Sequence, residues 1–312
     1  MGNQTKQMEN RSMEKKRYFR MVIEGLCAVC VFGLLFGLSF PLRGGDLRRI
    51  TPEIVVFGDS IMGECREEDS IPAKLSEVLG RETLNSAFGG TRMSRMDQAR
   101  RLDDNRDGLS MAALSKAVVT GDFGVQQTVH ITEGGTDFFD EAVDVLERVD
   151  FEQVKLVFLE YGLNDYHNAV PLDNRNRPLD EYTFVGALRA VVKALRKAYP
   201  NLRIILVTPT YTWYPERGLT CENYDTGNGY LYQYVDAQLQ AADELGVECI
   251  DLYHDLYSHE SYEDWERYTR DGIHPNEEGR TLIARTITEY LTEKERNEEY
   301  ENARTGSRTV EK

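Results

Sequence analysis

Histidine and cysteine are both scarce in this chain of 312 residues, with five of each. No His-Glu-x-x-His or other close set of metal ligands occurs, which argues against a metal hydrolase. The cysteines form no framework. Cys27-x-x-Cys30 has no second pair and sits in an apolar run, where a thiol serves as a small hydrophobe, so zinc and redox readings are rejected. Cys65, Cys221 and Cys249 are far apart and admit one disulfide at most. Basic residues are in deficit, 37 Lys and Arg against 53 Asp and Glu for a net charge of -16. Phosphate binding needs basic patches, so nucleic acid is not an expected partner. No repeat or low-complexity tract is present, and no cofactor is expected. What remains is an ordinary globular composition, 41% hydrophobic and 29% charged, with enough chain for a sizeable core.

The N-terminus reads as a membrane signal. Residues 1–20 are polar and basic, and Met21 to Leu42 then run apolar, interrupted only by Glu24. A spanning helix needs about 20 apolar residues, a length met when Glu24 reaches the headgroups. Six Lys and Arg from Lys6 to Arg20 precede the run, against Arg43, Arg48 and Arg49 just after it. The positive-inside rule then puts the N-terminus in the cytoplasm and the bulk of the chain outside. Ser39-Phe40-Pro41 is a poor cleavage site and no lipoprotein box is present, so the expectation is an uncleaved signal anchor rather than a removed leader or a buried core helix.

Beyond a linker at 43–52, strands alternate with helices. Ile54–Phe57, Thr83–Ser86, Val154–Leu159, Leu202–Val207 and Val247–Leu252 read as strands. Helices are expected at Ile71–Leu79, Leu179–Tyr199, Gly229–Leu245 and Glu277–Thr292, the last capped by Asn276. The strand runs are hydrophobic throughout, as in a parallel sheet covered on both faces. One α/β domain over 53–292 is therefore expected. A helical insertion at about 92–150 should lie over or beside the active face, and 293–312 should form a frayed, charged tail.

Four stretches carry candidate chemistry. Gly58-Asp59-Ser60 ends the first strand, where ligands collect in open α/β sheets. Acyl transfer by serine needs a base, an orienter for that base and donors for the oxyanion. His274 follows Asp271 by three residues, so one turn can hold both side chains. His254, flanked by Asp251 and Asp255 at another strand end, is the competing base. Gly90, after Gly89, offers an unobstructed backbone N–H, and Asn164 a side-chain amide. Taken singly, each stretch is better explained as turn chemistry.

In combination, Gly58-Asp59-Ser60, Asn85 through Gly90, Gly162-x-Asn164-Asp165 and Asp271-x-x-His274-Pro275 resemble the four blocks of the SGNH hydrolases, or GDSL esterase and lipase family. The resemblance covers about residues 53–292 and suggests a membrane-anchored, bacterial-type member. It implies a flavodoxin-like three-layer α/β/α sandwich with a central parallel sheet. Ser60 would be the nucleophile, His274 the base and Asp271 its orienter, with Ser60 N–H, Gly90 N–H and the Asn164 amide as oxyanion hole. Asp59 would brace the turn. Departures are Ile61, where Leu is frequent, and a long stretch after Gly90. The Gly-x-Ser-x-Gly elbow of α/β-hydrolases is absent, since Gly63 comes one position late.

The expected function is an extracytoplasmic serine esterase removing an acyl group, acetate foremost, from a small molecule or a cell-envelope or extracellular glycan. Tyr211, Trp213 and Tyr214 follow a strand end and are candidates either to stack on a sugar ring or, equally, to pack the loop onto the core. The alternatives are an O-acyltransferase using the same residues and a non-catalytic glycan-binding protein.

Overall fold

The run Ile54-Val55-Val56-Phe57-Gly58 is buried along its whole length and forms the strand on which the other elements assemble. The computed structural model describes residues 49–96, 105–131, 138–259 and 262–308. The span expected at 21–42 lies outside the described residues. Among the described residues no helix is long and apolar enough to cross a membrane.

Five parallel strands make the main sheet: β1 (Ile54–Gly58), β2 (Thr83–Asn85), β3 (Leu156–Glu160), β4 (Arg203–Val207) and β7 (Glu248–Ile250). Their spatial order is β2-β1-β3-β4-β7, the flavodoxin-type order. Strands β1 and β3 run in register from Ile54 opposite Leu156 to Gly58 opposite Glu160. Residues 156–160 are buried on both faces, which is why the run shows no alternation. A separate two-stranded hairpin, β5 (Trp213–Tyr214) with β6 (Leu219–Thr220), was not anticipated from the sequence.

The longer helices are α2 (Ile71–Leu79), α3 (Met111–Thr120), α4 (Phe139–Glu147), α6 (Phe184–Ala198), α7 (Leu231–Leu245) and α10 (Glu277–Arg308). Between them lie short pieces: α1 (Ser60–Gly63), α5 (Leu163–His167), α8 (Leu252–Asp255) and α9 (Glu263–Tyr268). Helix α2 packs against α10, while α6 packs against both α3 and α7. The β1-α2-β2 crossover and the crossovers from β3 onward leave β1 in opposite directions. Right-handed connections therefore put the two helix groups on opposite faces of the sheet. Local chemistry fixes the ends: Ser70 Oγ accepts from Ala73 N–H at 3.2 Å to start α2, and Asn276 Oδ1 accepts from Gly279 N–H at 3.0 Å to start α10.

Three sequence expectations change. The stretch 92–150 is not wholly an insertion over the active face. Its helix α3 buries Met111, Ala112 and Leu114 and, packed on α6, serves as the crossover helix between β2 and β3. The end of the linker is already tied to the domain, because Ile50 bridges Val149. The expected frayed tail continues α10 to Arg308. Residues 293–305 contain neither Pro nor Gly, so nothing in that stretch breaks the helix.

Leu206 is fully buried in β4, between β3 and β7. Leu206→Ala should lower stability by about 2–5 kcal/mol. Loss of the Ser70 cap in Ser70→Ala should cost about 1 kcal/mol. Urea midpoints of the two variants check this, and equal shifts would contradict the assignment of Leu206 to the core centre.

Candidate active site

Strands β1 and β3 are where connections leave the sheet in opposite directions, and the loops after both converge at their carboxyl ends. Ser60 begins α1 directly after β1. Asp59 caps this short helix, its Oδ1 accepting from Ile61 N–H at 2.9 Å. The second Asp59 oxygen accepts from Asn164 Nδ2 at 2.9 Å. One buried carboxyl thus ties the Ser60 turn to the amide in α5. This bracing role agrees with the sequence reading, but its partner Asn164 was not foreseen.

The imidazole of His274 places Nε2 3.0 Å from Ser60 Oγ. Its Nδ1 lies 2.7 Å from Asp271 Oδ2. A carboxylate only accepts, so Nδ1 carries the proton and Nε2 is left to accept from the serine hydroxyl. The other Asp271 oxygen accepts from the N–H groups of Ile273 and His274 at 3.0 and 2.8 Å. Burial raises the Asp271 carboxyl, but the hydrogen bonds from the His274 ring and these backbone groups outweigh it and hold it below the usual carboxylate range. The β5-β6 hairpin braces this turn, with Trp213 N–H donating to Gly272 O at 2.9 Å.

The competing histidine repeats the same local geometry. His254 N–H donates to Asp251 Oδ1 at 3.1 Å, and its Nδ1 lies 2.8 Å from Oδ2. Asp-x-x-His is therefore a turn that orients an imidazole wherever it occurs. Ser60 lies against His274, which decides between the two.

Gly89 and Gly90 pass beside the serine. A Cβ on Gly89 would stand 3.6 Å from Ser60 Cβ, and Gly90 has φ of 75°. Side chains rarely adopt that conformation, and a Cβ on Gly90 would meet Arg106 at 3.1 Å. Asp165, fully buried, accepts from Met93 N–H at 2.9 Å, Ser94 N–H at 3.0 Å and Ser94 Oγ at 2.5 Å. It clamps the chain just after Gly90 onto α5. The sequence marked Asp165 as part of a block without giving it this task.

The aromatic trio divides. Tyr211 and Trp213 are buried and face the core, not the cleft. Their rings pack edge to face at 4.9 Å, Tyr211 stacks on His259, and Trp213 packs on Tyr257. Tyr214 is half-buried, and its hydroxyl lies 2.8 Å from His167 Nε2. Strand alternation supplies the reason: residues 211 and 213 share one face and 214 takes the other.

An open cavity of about 460 Å³ adjoins Ser60, lined among others by Ile61, Glu64, Arg66, Phe138, Arg270 and Pro275. Arg66 stacks over the Phe138 ring at 4.4 Å. It also donates to Asn85 Oδ1 and O and to Ala87 O. Glu64 pairs with Arg270. Among the described residues no group of three His, Cys, Asp or Glu is arranged to hold a metal ion, and Cys65, Cys221 and Cys249 are unpaired.

The model of the GDSL-like lipase/acylhydrolase family matches residues 56–282, and the chain belongs to that family. It is similar to an Arabidopsis thaliana GDSL esterase/lipase, 25% identical over 133 residues that make up 39% of this chain and 52% of that protein. It is also similar to the human isoamyl acetate-hydrolyzing esterase 1 homolog, 26% identical over 132 residues, 41% of this chain and 51% of that protein. The chain thus spans about half the length of the curated relatives it matches. A crystal structure of a Lactobacillus plantarum protein shares the fold, with a TM-score of 0.55 and 20% identity, covering 78% of this chain and 98% of that one.

His167 gives the site a measurable pH signature. Burial, then the nearby His274, push its pKa down from 6.5 to about 4. A histidine depressed on folding binds its proton less well in the native state, so stability rises with pH across that window. The contribution is fully present above the unfolded pKa and is lost as pH falls through the folded one. Relative to His167→Gln, the wild-type chain should lose on the order of 3 kcal/mol between pH 6.5 and 4. Denaturant midpoints of both proteins across this range check the sign and size.

Proposed function

We propose that the chain is a serine esterase working through an acyl-enzyme, with Ser60 as nucleophile, His274 as general base and Asp271 as its orienter. The observation that carries this reading is the continuous hydrogen-bonded line from Asp271 through His274 to Ser60. His274 Nε2 takes the hydroxyl proton as Ser60 Oγ attacks the ester carbonyl carbon. The imidazolium, steadied by Asp271, then returns that proton to the departing alkoxide. Water repeats the sequence on the acyl-enzyme, releasing the acid and free Ser60. Ser60 N–H, Gly90 N–H and the Asn164 amide are the donors assigned to the oxyanion in both halves.

The acyl group we assign is small, acetate foremost, and the alcohol a hydroxyl-rich glycan or small molecule outside the cell. Support comes from the charged wall of Glu64, Arg66 and Arg270 beside Ser60, suited to hydroxyl groups. The name of the human relative also refers to an acetate ester. Hydrolysis is preferred to transfer because the cavity beside Ser60 is open, which would leave the acyl-enzyme accessible to water. Residues 21–42 are assigned as a signal anchor with the catalytic domain extracytoplasmic, on the strength of the apolar run and its basic flank.

With p-nitrophenyl acetate and the full chain in detergent, Ser60→Ala and His274→Ala should each lose more than about 10³-fold in kcat. Asn164→Ala should lose about 10²–10³-fold. Unchanged rates in the first two variants would sink the mechanism. A topology reporter fused after Lys312 should read extracytoplasmic, and a cytoplasmic signal would overturn the orientation.

A further inference from the structure

Glu160 ends β3 directly across from Gly58, the last residue of β1. Its side chain is completely buried. A Cβ on Gly58 would stand 3.1 Å from Glu160 Oε2, so a side chain there would press on the carboxyl. The same oxygen lies 3.5 Å from Asp59 N, a long contact, and the other oxygen has no hydrogen-bond partner. Asp59, also completely buried, is better served. Its two oxygens accept from Ile61 N–H and Asn164 Nδ2, both at 2.9 Å.

Two carboxyls this close and this buried do not both ionise. Asp59 has the donors and faces His274, so burial lifts it only to about 6. Burial, then the charge of Asp59, push Glu160 well above the usual carboxylate range. The proton therefore stays on Glu160, whose O–H is available to the Asp59 carboxylate. A second anion there would compete for the donors that fix Asp59, and with them the link to Asn164.

We propose that Glu160 is a positioning residue for the Ser60 site: as a buried carboxylic acid packed against Gly58 and Asp59, it holds the Asp59 carboxylate in place so that the Asn164 amide stays fixed beside the nucleophile. Glu160 touches neither substrate nor reacting atoms and acts through Asp59. The inference rests on the mechanism proposed above, in which Asn164 serves the oxyanion.

The test compares wild type, Glu160→Gln and Glu160→Met as full-length chains in detergent, turning over p-nitrophenyl acetate, with Ser60→Ala run in parallel. Glutamine keeps a donor for Asp59 carboxylate and an acceptor for its N–H, as the protonated acid does. Methionine fills the space and does neither. Glu160→Gln should stay within about threefold of wild-type kcat, while Glu160→Met should fall about 10- to 100-fold at nearly unchanged KM. A glutamine variant as slow as methionine, or a methionine variant as fast as wild type, overturns the proposal. Wild-type turnover by Ser60→Ala would instead refute the underlying mechanism. If the variants do not fold, carbon-13 spectra of glutamate-labelled wild-type chain decide. A glutamate carboxyl still protonated at neutral pH supports the proposal, and its absence overturns it.

Discussion

Asp59 is the carboxylate on which the site depends. It accepts from Ile61 N–H and so starts the helix that presents Ser60, and it accepts from Asn164 and so fixes the α5 amide. Those two bonds join the ends of β1 and β3, the neighbouring strands whose connections diverge. Asp165 continues the chain of constraint by clamping Met93 and Ser94, just beyond Gly90, onto the same short helix. Three segments distant in sequence are thus held by two adjacent acidic clamps. A site whose donors must be fixed to within a fraction of an ångström needs such supports, and here they are packed into the core rather than left at the surface.

The distribution of charge follows a gradient of burial. Asp59, Glu160 and Asp165 are completely buried, while Asp271 is half-exposed and His274 is 27% exposed. Asp59 and Asp165 have structural work and fixed partners. The pair that would gain and lose a proton in the proposed mechanism sits where water can reach it. His167 extends the pattern. Thr212 donates to the Tyr214 hydroxyl, which in turn lies against His167 Nε2, and burial keeps that ring neutral at pH 7. A second cation so near would oppose the imidazolium that the proposed mechanism forms on His274.

What the sequence makes legible is what local spacing encodes. The all-hydrophobic strand runs, the Gly58-Asp59-Ser60 turn and the Asp271-x-x-His274 pair each lie within a few residues, and the structure brings Ser60 and His274 together. The supports are illegible for the opposite reason. Asp165 to Ser94 and Arg66 to Asn85 are tertiary contacts with no mark in local pattern. For Tyr211 and Trp213 aromatic character alone does not choose between stacking on a sugar and packing on the core, and burial selects the core. Period-two alternation puts the rings of 211 and 213 on one side and that of 214 on the other, against His167 and Tyr224. Helix α3 lies within the stretch expected as an insertion, although its own buried face marks it as a covering helix. Glu160 carried a signal of its own: a single acid closing an otherwise apolar strand.

The two Asp-x-x-His turns show why topology, rather than motif chemistry, selects which histidine meets Ser60. Asp251 and His254 reproduce the hydrogen bonds of Asp271 and His274 to within a few tenths of an ångström. Both pairs can orient an imidazole, and both lie near the surface. The first follows β7, at the far edge of the sheet from β2. The second lies in the loop before α10, which returns to pack on α2, the helix that follows the Ser60 turn. The return of the last helix to pack on the helix of the first crossover brings His274 to Ser60. The same dyad placed one connection earlier, on α8, remains a capped turn.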